Sequence, residues 1–149
     1  MIENLLAKVV SFNDALTSGR AVSEIIKDNE AFICDMNAQV QLYEQGVNRL
    51  GVSIMDYQPY TETTIAIKKV KGQPYDRVTL RDTGDFHASF YITTTDKDFE
   101  IKASDSKTQG LKKKYGNQIL GLTEEHVAEV AAEYVYPALL DKLIYTLNG

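Results

Sequence analysis

Between Tyr75 and Ile92 the chain reads Y-D-R-V-T-L-R-D-T-G-D-F-H-A-S-F-Y-I, and across this stretch the kind of structure the sequence supports changes. Asp82-Thr83-Gly84-Asp85 joins side chains that hydrogen-bond local backbone to a glycine that tolerates positive φ, which is the chemistry of a turn or helix start. Phe86, Ser89 and Phe90 follow at i, i+3 and i+4, enough for one or two helical turns. Tyr91-Ile92-Thr93-Thr94-Thr95 is β-branched and aromatic, and favours a strand. A chain punctuated in this way must join helices to a hairpin.

Upstream, helical periodicity dominates. Ile2, Leu5, Leu6, Val9 and Val10 are spaced as on an amphipathic helix that ends between Asp14 and Gly19. A longer helix is expected from Ala21 to Gln45, with Val22, Ile25, Ile26, Phe32, Ile33, Met36, Val40 and Tyr43 on one stripe and Gly46 as its stop. Cys34 falls off that stripe and reads as a partly exposed structural residue. Gly46 to Tyr60 reads as a loop with one short extended piece. Thr61 to Lys71 fits either a helix capped by Thr61 or a strand alternating at Ile65 and Ile67, and its lysines read as a solvated face.

Downstream, Phe99-Glu100-Ile101-Lys102-Ala103 alternates apolar and charged residues and makes a hairpin with Tyr91 to Thr95 around Asp96-Lys97-Asp98. Its outer strand is free to pair with a neighbouring chain. Asp105-Ser106-Lys107 starts a short helix reaching Tyr115, ended by Gly116 and carrying the solvated cluster Lys112, Lys113 and Lys114. The last helix opens with Thr123 as cap and Glu124 and Glu125 in its first turn. Val127, Val130, Ala131 and Tyr134 form its buried face, and Pro137 predicts a kink. Beyond it Leu140, Leu143, Ile144 and Leu147 form a second stripe, turned by roughly 140° from the first on a straight helix. Either the kink re-aims this stripe into the core, or the stripe meets another chain. The expected fold class is α+β: long N-terminal helices, a small antiparallel sheet and a C-terminal helix kinked at Pro137.

The 149 residues, 44% of them apolar, fit a single domain spanning 1–149. Glu3 and Lys8 interrupt the opening residues, so neither a signal peptide nor a membrane span is expected. A lone Cys34 forms no internal disulfide, in keeping with a reducing cytoplasm. The net charge of −5 argues against a domain whose main task is holding nucleic acid.

The sharpest catalytic motif is Asp82-Thr83-Gly84, since aspartic proteases present one carboxylate of their dyad on D-T-G, and a homodimer supplies two. Ile119-Leu120-Gly121 resembles a later step of retroviral-type proteases. Those chains are mostly β and follow D-T-G with a small residue, where this one has Asp85 after a long helical region. Asp82, Asp85 and His87 are too few for a metal centre, and two histidines with one cysteine exclude the usual zinc patterns. No Walker loop, dinucleotide fingerprint, nucleophile elbow or zincin motif is present. The residues therefore point to no catalytic, cofactor-binding or metal site.

Several short boxes, taken in order, resemble a known family. They are Gln41-Leu42-Tyr43-Glu44-Gln45-Gly46, Gly51, Tyr57 with Pro59-Tyr60-Thr61, a lysine-bearing segment closing at Gly72, Leu80 with Thr83-Gly84, Phe86 and Ser89, and Tyr115-Gly116 before Ile119-Leu120-Gly121-Leu122-Thr123-Glu124-Glu125. This order is similar to phage virion-morphogenesis (tail-completion, head-tail joining) proteins, including prophage copies. Tyr57 stands where that family often has tryptophan, and Tyr115-Gly116 replaces a histidine-bearing step. The resemblance implies a non-enzymatic virion component at the head-tail junction or tail terminus. It would work as a homo-oligomer with other phage head or tail proteins, without membrane or sequence-specific nucleic acid, first in the bacterial cytoplasm and then in the virion. Leu80, Thr83, Gly84, Phe86 and Ser89 would shape the turn, so Gly84→Val is expected to disrupt folding, and Leu140, Leu143, Ile144 and Leu147 would supply an interface. A cytoplasmic binding or regulatory module is the alternative, and a dimeric protease using Asp82 a more remote one.

Overall fold

The computed structural model describes residues 2–148. Helices dominate it, and the antiparallel hairpin β1 (Phe90–Thr94) and β2 (Phe99–Ala103) is the one sheet among the described residues, with Ile92 opposite Ile101. The protein is α+β, as the pattern predicts.

α1 (Ile2–Thr17) ends where expected, and Gly19, at φ 77, turns the chain into α2 (Arg20–Asp28). The single helix expected from Ala21 to Gln45 is instead three pieces. At Asn29 the side-chain amide donates to the Ile25 carbonyl at 2.9 Å, competing with the helical ladder. α3 (Glu30–Asp35) follows, and Met36–Gln45 winds as a π-helix that ends at Gly46, φ 66. Each wider turn advances the phase of the inward face. Asn37, Ala38, Gln41 and Leu42 are buried, whereas Val40 and Tyr43 are only half-buried and Phe32 is 61% exposed. Phe32 stacks on Tyr134 with centroids 6.0 Å apart. Cys34, expected to be partly exposed, is buried, and burial raises its thiol pKa to about 11.

The segment read as a loop holds a one-pair bridge, Val47 to Ser53, and a short helix α4 (Ile54–Tyr57) whose Ile54 is fully buried. Thr61 to Lys71 resolves as helix α5 (Glu62–Lys71), because the Thr61 hydroxyl accepts the Thr64 amide as an N-cap and Gly72 closes it in the left-handed region. Gly84, at φ 92, opens α6 (Asp85–Ala88). A Cβ there would meet nothing nearer than the Arg81 Nε at 3.7 Å, so the cost of Gly84→Val is conformational, roughly 1–2 kcal/mol, rather than loss of the fold.

α7 (Thr108–Tyr115) and a 3-10 turn (Asn117–Ile119) lead to a bend at 120–123, where Gly121 takes φ 122. The Thr123 hydroxyl then caps α8 (Glu124–Val130) by accepting the His126 amide. Val127 is 46% exposed and His126 buried in its place, while Val130 is buried as expected. The irregularity predicted at Pro137 is a π-helical stretch, Ala131–Val135, immediately before it, after which α9 (Tyr136–Asn148) continues. Proline lacks an N–H and crowds the carbonyl four residues back, and a widened turn relieves both.

The core joins Ile25 and Ile33 of α2 and α3, Leu42, Ile54, Val78, Ile92, Ile101, Ile119 and Val130. The outer edge of β1 is closed by side chains: Lys27 Nζ donates to the Ile92 carbonyl and the Ile92 amide donates to Glu30 Oε2, each at 2.8 Å. Lys27 and the Ile92 amide hold the Glu30 carboxyl below the ordinary carboxylate pKa.

Candidate functional site

The short boxes singled out along the sequence meet in space. Asn37 and Gln41, one helical turn apart and both fully buried, present their amides to the bend at 120–123. Asn37 Nδ2 donates to the Ile119 carbonyl at 3.1 Å, and Asn37 Oδ1 accepts the Gly121 amide at 2.8 Å. Gln41 Nε2 donates to the Gly121 carbonyl at 2.9 Å, and its Oε1 accepts the Thr123 amide at 3.0 Å. Because that oxygen only accepts, His126 must carry its proton on Nδ1, donating to Gln41 Oε1 at 2.6 Å. The Tyr57 hydroxyl donates to the Tyr115 carbonyl at 2.8 Å, and the Tyr60 hydroxyl accepts the Thr79 amide at 3.1 Å. Sequence reading registered Gln41 within a box but missed Asn37, and it took neither as a buried clamp. The available signal was two amides at i and i+4 among the apolar residues Met36, Ala38 and Leu42.

The D-T-G segment lines a small cavity of about 200 Å³ together with Tyr60, Lys68, Phe86, Leu111 and Tyr115. Asp82 is surface-exposed; its carboxylate accepts from Lys71 Nζ at 3.0 Å and from Gln73 Nε2 at 3.3 Å, which holds its pKa below the ordinary range. Leu80, at φ 54, is the one non-glycine residue with positive φ among the described residues. Its strained backbone is fixed through its neighbour, since Thr79 accepts on its carbonyl from His87 Nε2 at 3.0 Å and on its hydroxyl from the Arg81 amide. Burial lowers the His87 pKa to about 4, against the Thr79 hydrogen bond that raises it. Phe86 is buried and stacks edge-on with Phe90 at 5.0 Å, while the Ser89 hydroxyl donates to the Phe86 carbonyl. The box residues thus form one packed turn. No three histidine, cysteine, aspartate or glutamate side chains converge on a metal-sized site among the described residues.

The predicted interface residues divide by exposure: Leu140 is 56%, Ile144 48% and Leu147 48% exposed, and Leu143 is half-buried. Neither α1 nor α9 has a fully buried residue. The two helices pack against each other, with Lys8 and Phe12 of α1 bordering the same groove as Lys142 and Tyr145 of α9. Lys142 reaches Glu24 of α2 at 3.7 Å, so α9 borders α2 as well as α1. With residues placed 100° apart, Ile2, Leu6, Val9 and Val10 lie roughly opposite the groove residues of α1, and Leu140, Leu143, Ile144 and Leu147 roughly opposite those of α9. Both apolar stripes therefore face away from the groove that holds Lys8, Glu24 and Lys142. The apolar face that sequence reading placed on α9 alone is therefore doubled by α1. Lys112, Lys113 and Lys114 are the cationic last turn of α7.

No helix among the described residues is long and apolar enough to cross a membrane. The chain matches no protein-family model, no curated protein and no solved structure.

Proposed function

We propose that this protein is a non-enzymatic assembly component of a phage or prophage virion, self-associating through the layer formed by α1 and α9. The observation that carries the self-association is the apolar stripe on both helices: Ile2, Leu6, Val10, Leu140, Ile144 and Leu147 are each at least 48% exposed on a domain whose core is otherwise complete. Contiguous apolar surface of this kind is unfavourable in water and is stabilised by covering it, at roughly 25 cal/mol per Å². A second copy covers both stripes at once, and a repeated contact of this type closes into a ring when its rotation allows. The assignment to virion assembly at the head-tail junction or tail terminus draws on the resemblance of the boxes. It is supported by their mutual packing, since Gln41 holds the Gly121–Thr123 bend, Tyr57 holds Tyr115 and Tyr60 holds Thr79.

Light scattering of the purified protein over a concentration series tests the association. A defined oligomer is expected, reduced to monomer by Leu140→Glu with Leu147→Glu at unchanged thermal stability. A monomer at every concentration would overturn the self-association. Neighbouring genes for capsid, portal or tail proteins test the virion role, and their absence would favour a cytoplasmic binding module.

A further inference from the structure

The two edges of the hairpin are treated differently. The Thr95 amide donates to the Asp98 carbonyl and the Ser104 amide to the Ser89 carbonyl, which fixes the phase of the ladder. Asp98, Glu100, Lys102 and Ser104 therefore face β1, and the amides and carbonyls of Phe99, Ile101 and Ala103 face outward. On β1 the matching outward position, Ile92, is capped on both its groups by Lys27 and Glu30. Among the described residues the edge of β2 has no such cap. It borders a groove of about 990 Å³ that is also lined by the bend at 120–122, by Thr108, Gln109 and Lys112 of α7, and by Val127. Thr108, only 5% exposed, lines that groove, and its hydroxyl is the one buried side-chain polar atom among the described residues with no hydrogen-bond partner.

We infer that this groove is an acceptor site for an extended, acidic segment of another protein, which adds as a third strand to the edge of β2. The uncapped backbone groups of Phe99, Ile101 and Ala103 match the donors and acceptors of an incoming strand. Leu122 and Val127, which also line the groove, offer apolar contact to alternate side chains. Charge selects the occupant. Arg49, Lys97, Lys102 and Lys112 line the groove against Asp98 and Glu100. Lys102 lies 4.0 Å from Glu100, and the Asp98 carboxylate accepts from the Thr95 hydroxyl, whereas Arg49, Lys97 and Lys112 have no carboxylate within ion-pair distance among the described residues. This basic rim stands on a chain of net charge −5. A second copy docked edge to edge would set the rim against itself, while carboxylates on an extended partner neutralise it. The inference uses elements other than α1 and α9 and does not depend on the self-association.

The test is a titration of the full nitrogen-15-labelled protein with the blocked peptide acetyl-Glu-Val-Glu-Val-Glu-Val-Glu-amide, beside its counterpart with lysine at every glutamate. The acidic peptide is expected to shift the amides of Phe99, Ile101 and Ala103 and slow their hydrogen exchange, and the lysine peptide to leave them unchanged. Ala103→Pro removes an outward donor without breaking a ladder bond, and Lys112→Glu reverses a rim charge. Each should weaken binding by roughly 3–10-fold with the thermal transition retained. The inference is overturned by no shift at millimolar acidic peptide, by equal binding of the lysine peptide, or by shifts confined to α1 and α9. Concentration-dependent protection of the β2 edge without peptide would also overturn it, since a second copy would then be the occupant.

Discussion

Replacing Gln41 by methionine keeps the volume of a fully buried side chain and removes its polar head. Three groups then lose their partner together: the Gly121 carbonyl, the Thr123 amide and the His126 Nδ1 proton. A buried polar group left without a partner costs about 1–3 kcal/mol. Gly121 and Thr123 are half-buried and take the low end of that range, whereas His126, 8% exposed, takes more. The sum is about 3–4 kcal/mol, and at about 2–4 °C per kcal/mol for a domain of this size the melting temperature should fall by roughly 6–15 °C. Gln45→Met, on the exposed end of the same π-helix, should stay within about 0.5 kcal/mol. Urea unfolding followed by circular dichroism measures both, and amide exchange should show Gly121 and Thr123 losing protection first. A loss below about 1 kcal/mol, with both amides still protected, would refute the clamp as what holds the bend.

Three further outcomes follow from the same geometry. The folded-state pKa of His87, about 4, lies below its ordinary value of about 6.5, so the folded protein resists a proton that the unfolded chain takes up. Stability should be full above pH 6.5 and decline by on the order of 2–3 kcal/mol as pH falls toward 4. His87→Gln, which can still donate to the Thr79 carbonyl, should flatten that part of a melting-temperature profile. Glu30→Gln should lose about 1 kcal/mol after discount for exposure, because the Lys27 pair and the cap on Ile92 both weaken; since the Glu30 pKa is lowered, its contribution is present at neutral pH and is lost on acidification, which urea titrations at two pH values will show. Gly19→Ala should destabilise far more than Gly84→Ala when their thermal melts are compared, because a Cβ at Gly19 runs into the Asp96 carbonyl while one at Gly84 finds space.

Local chemistry was legible in the sequence wherever a signal acts over a few residues. Thr61 and Thr123 cap helices, Gly46, Gly72 and Gly84 sit in the left-handed region, and the 99–103 alternation pairs with 90–94 as the pattern predicts. These depend on backbone sterics and side-chain reach, which the sequence alone specifies. The phase of a long helix is different, because it accumulates along its length. A break at Asn29 and wider turns from Met36 to Gln45 rotated the inward face, burying Cys34, Asn37 and Gln41 and leaving Phe32 outside. The same limit applies to apolar stripes: periodicity showed that α1 and the end of α9 each have one, but not whether it faces the core or water. Only tertiary packing, which set the two helices against each other, decided that both stripes are largely exposed. The edge of β2 is a third case, since the sequence contained the strand while the open groove beside it came from residues about twenty positions further along. Amino-acid order therefore determined the elements and their ends, and the contacts between distant segments decided which surfaces remain available for function.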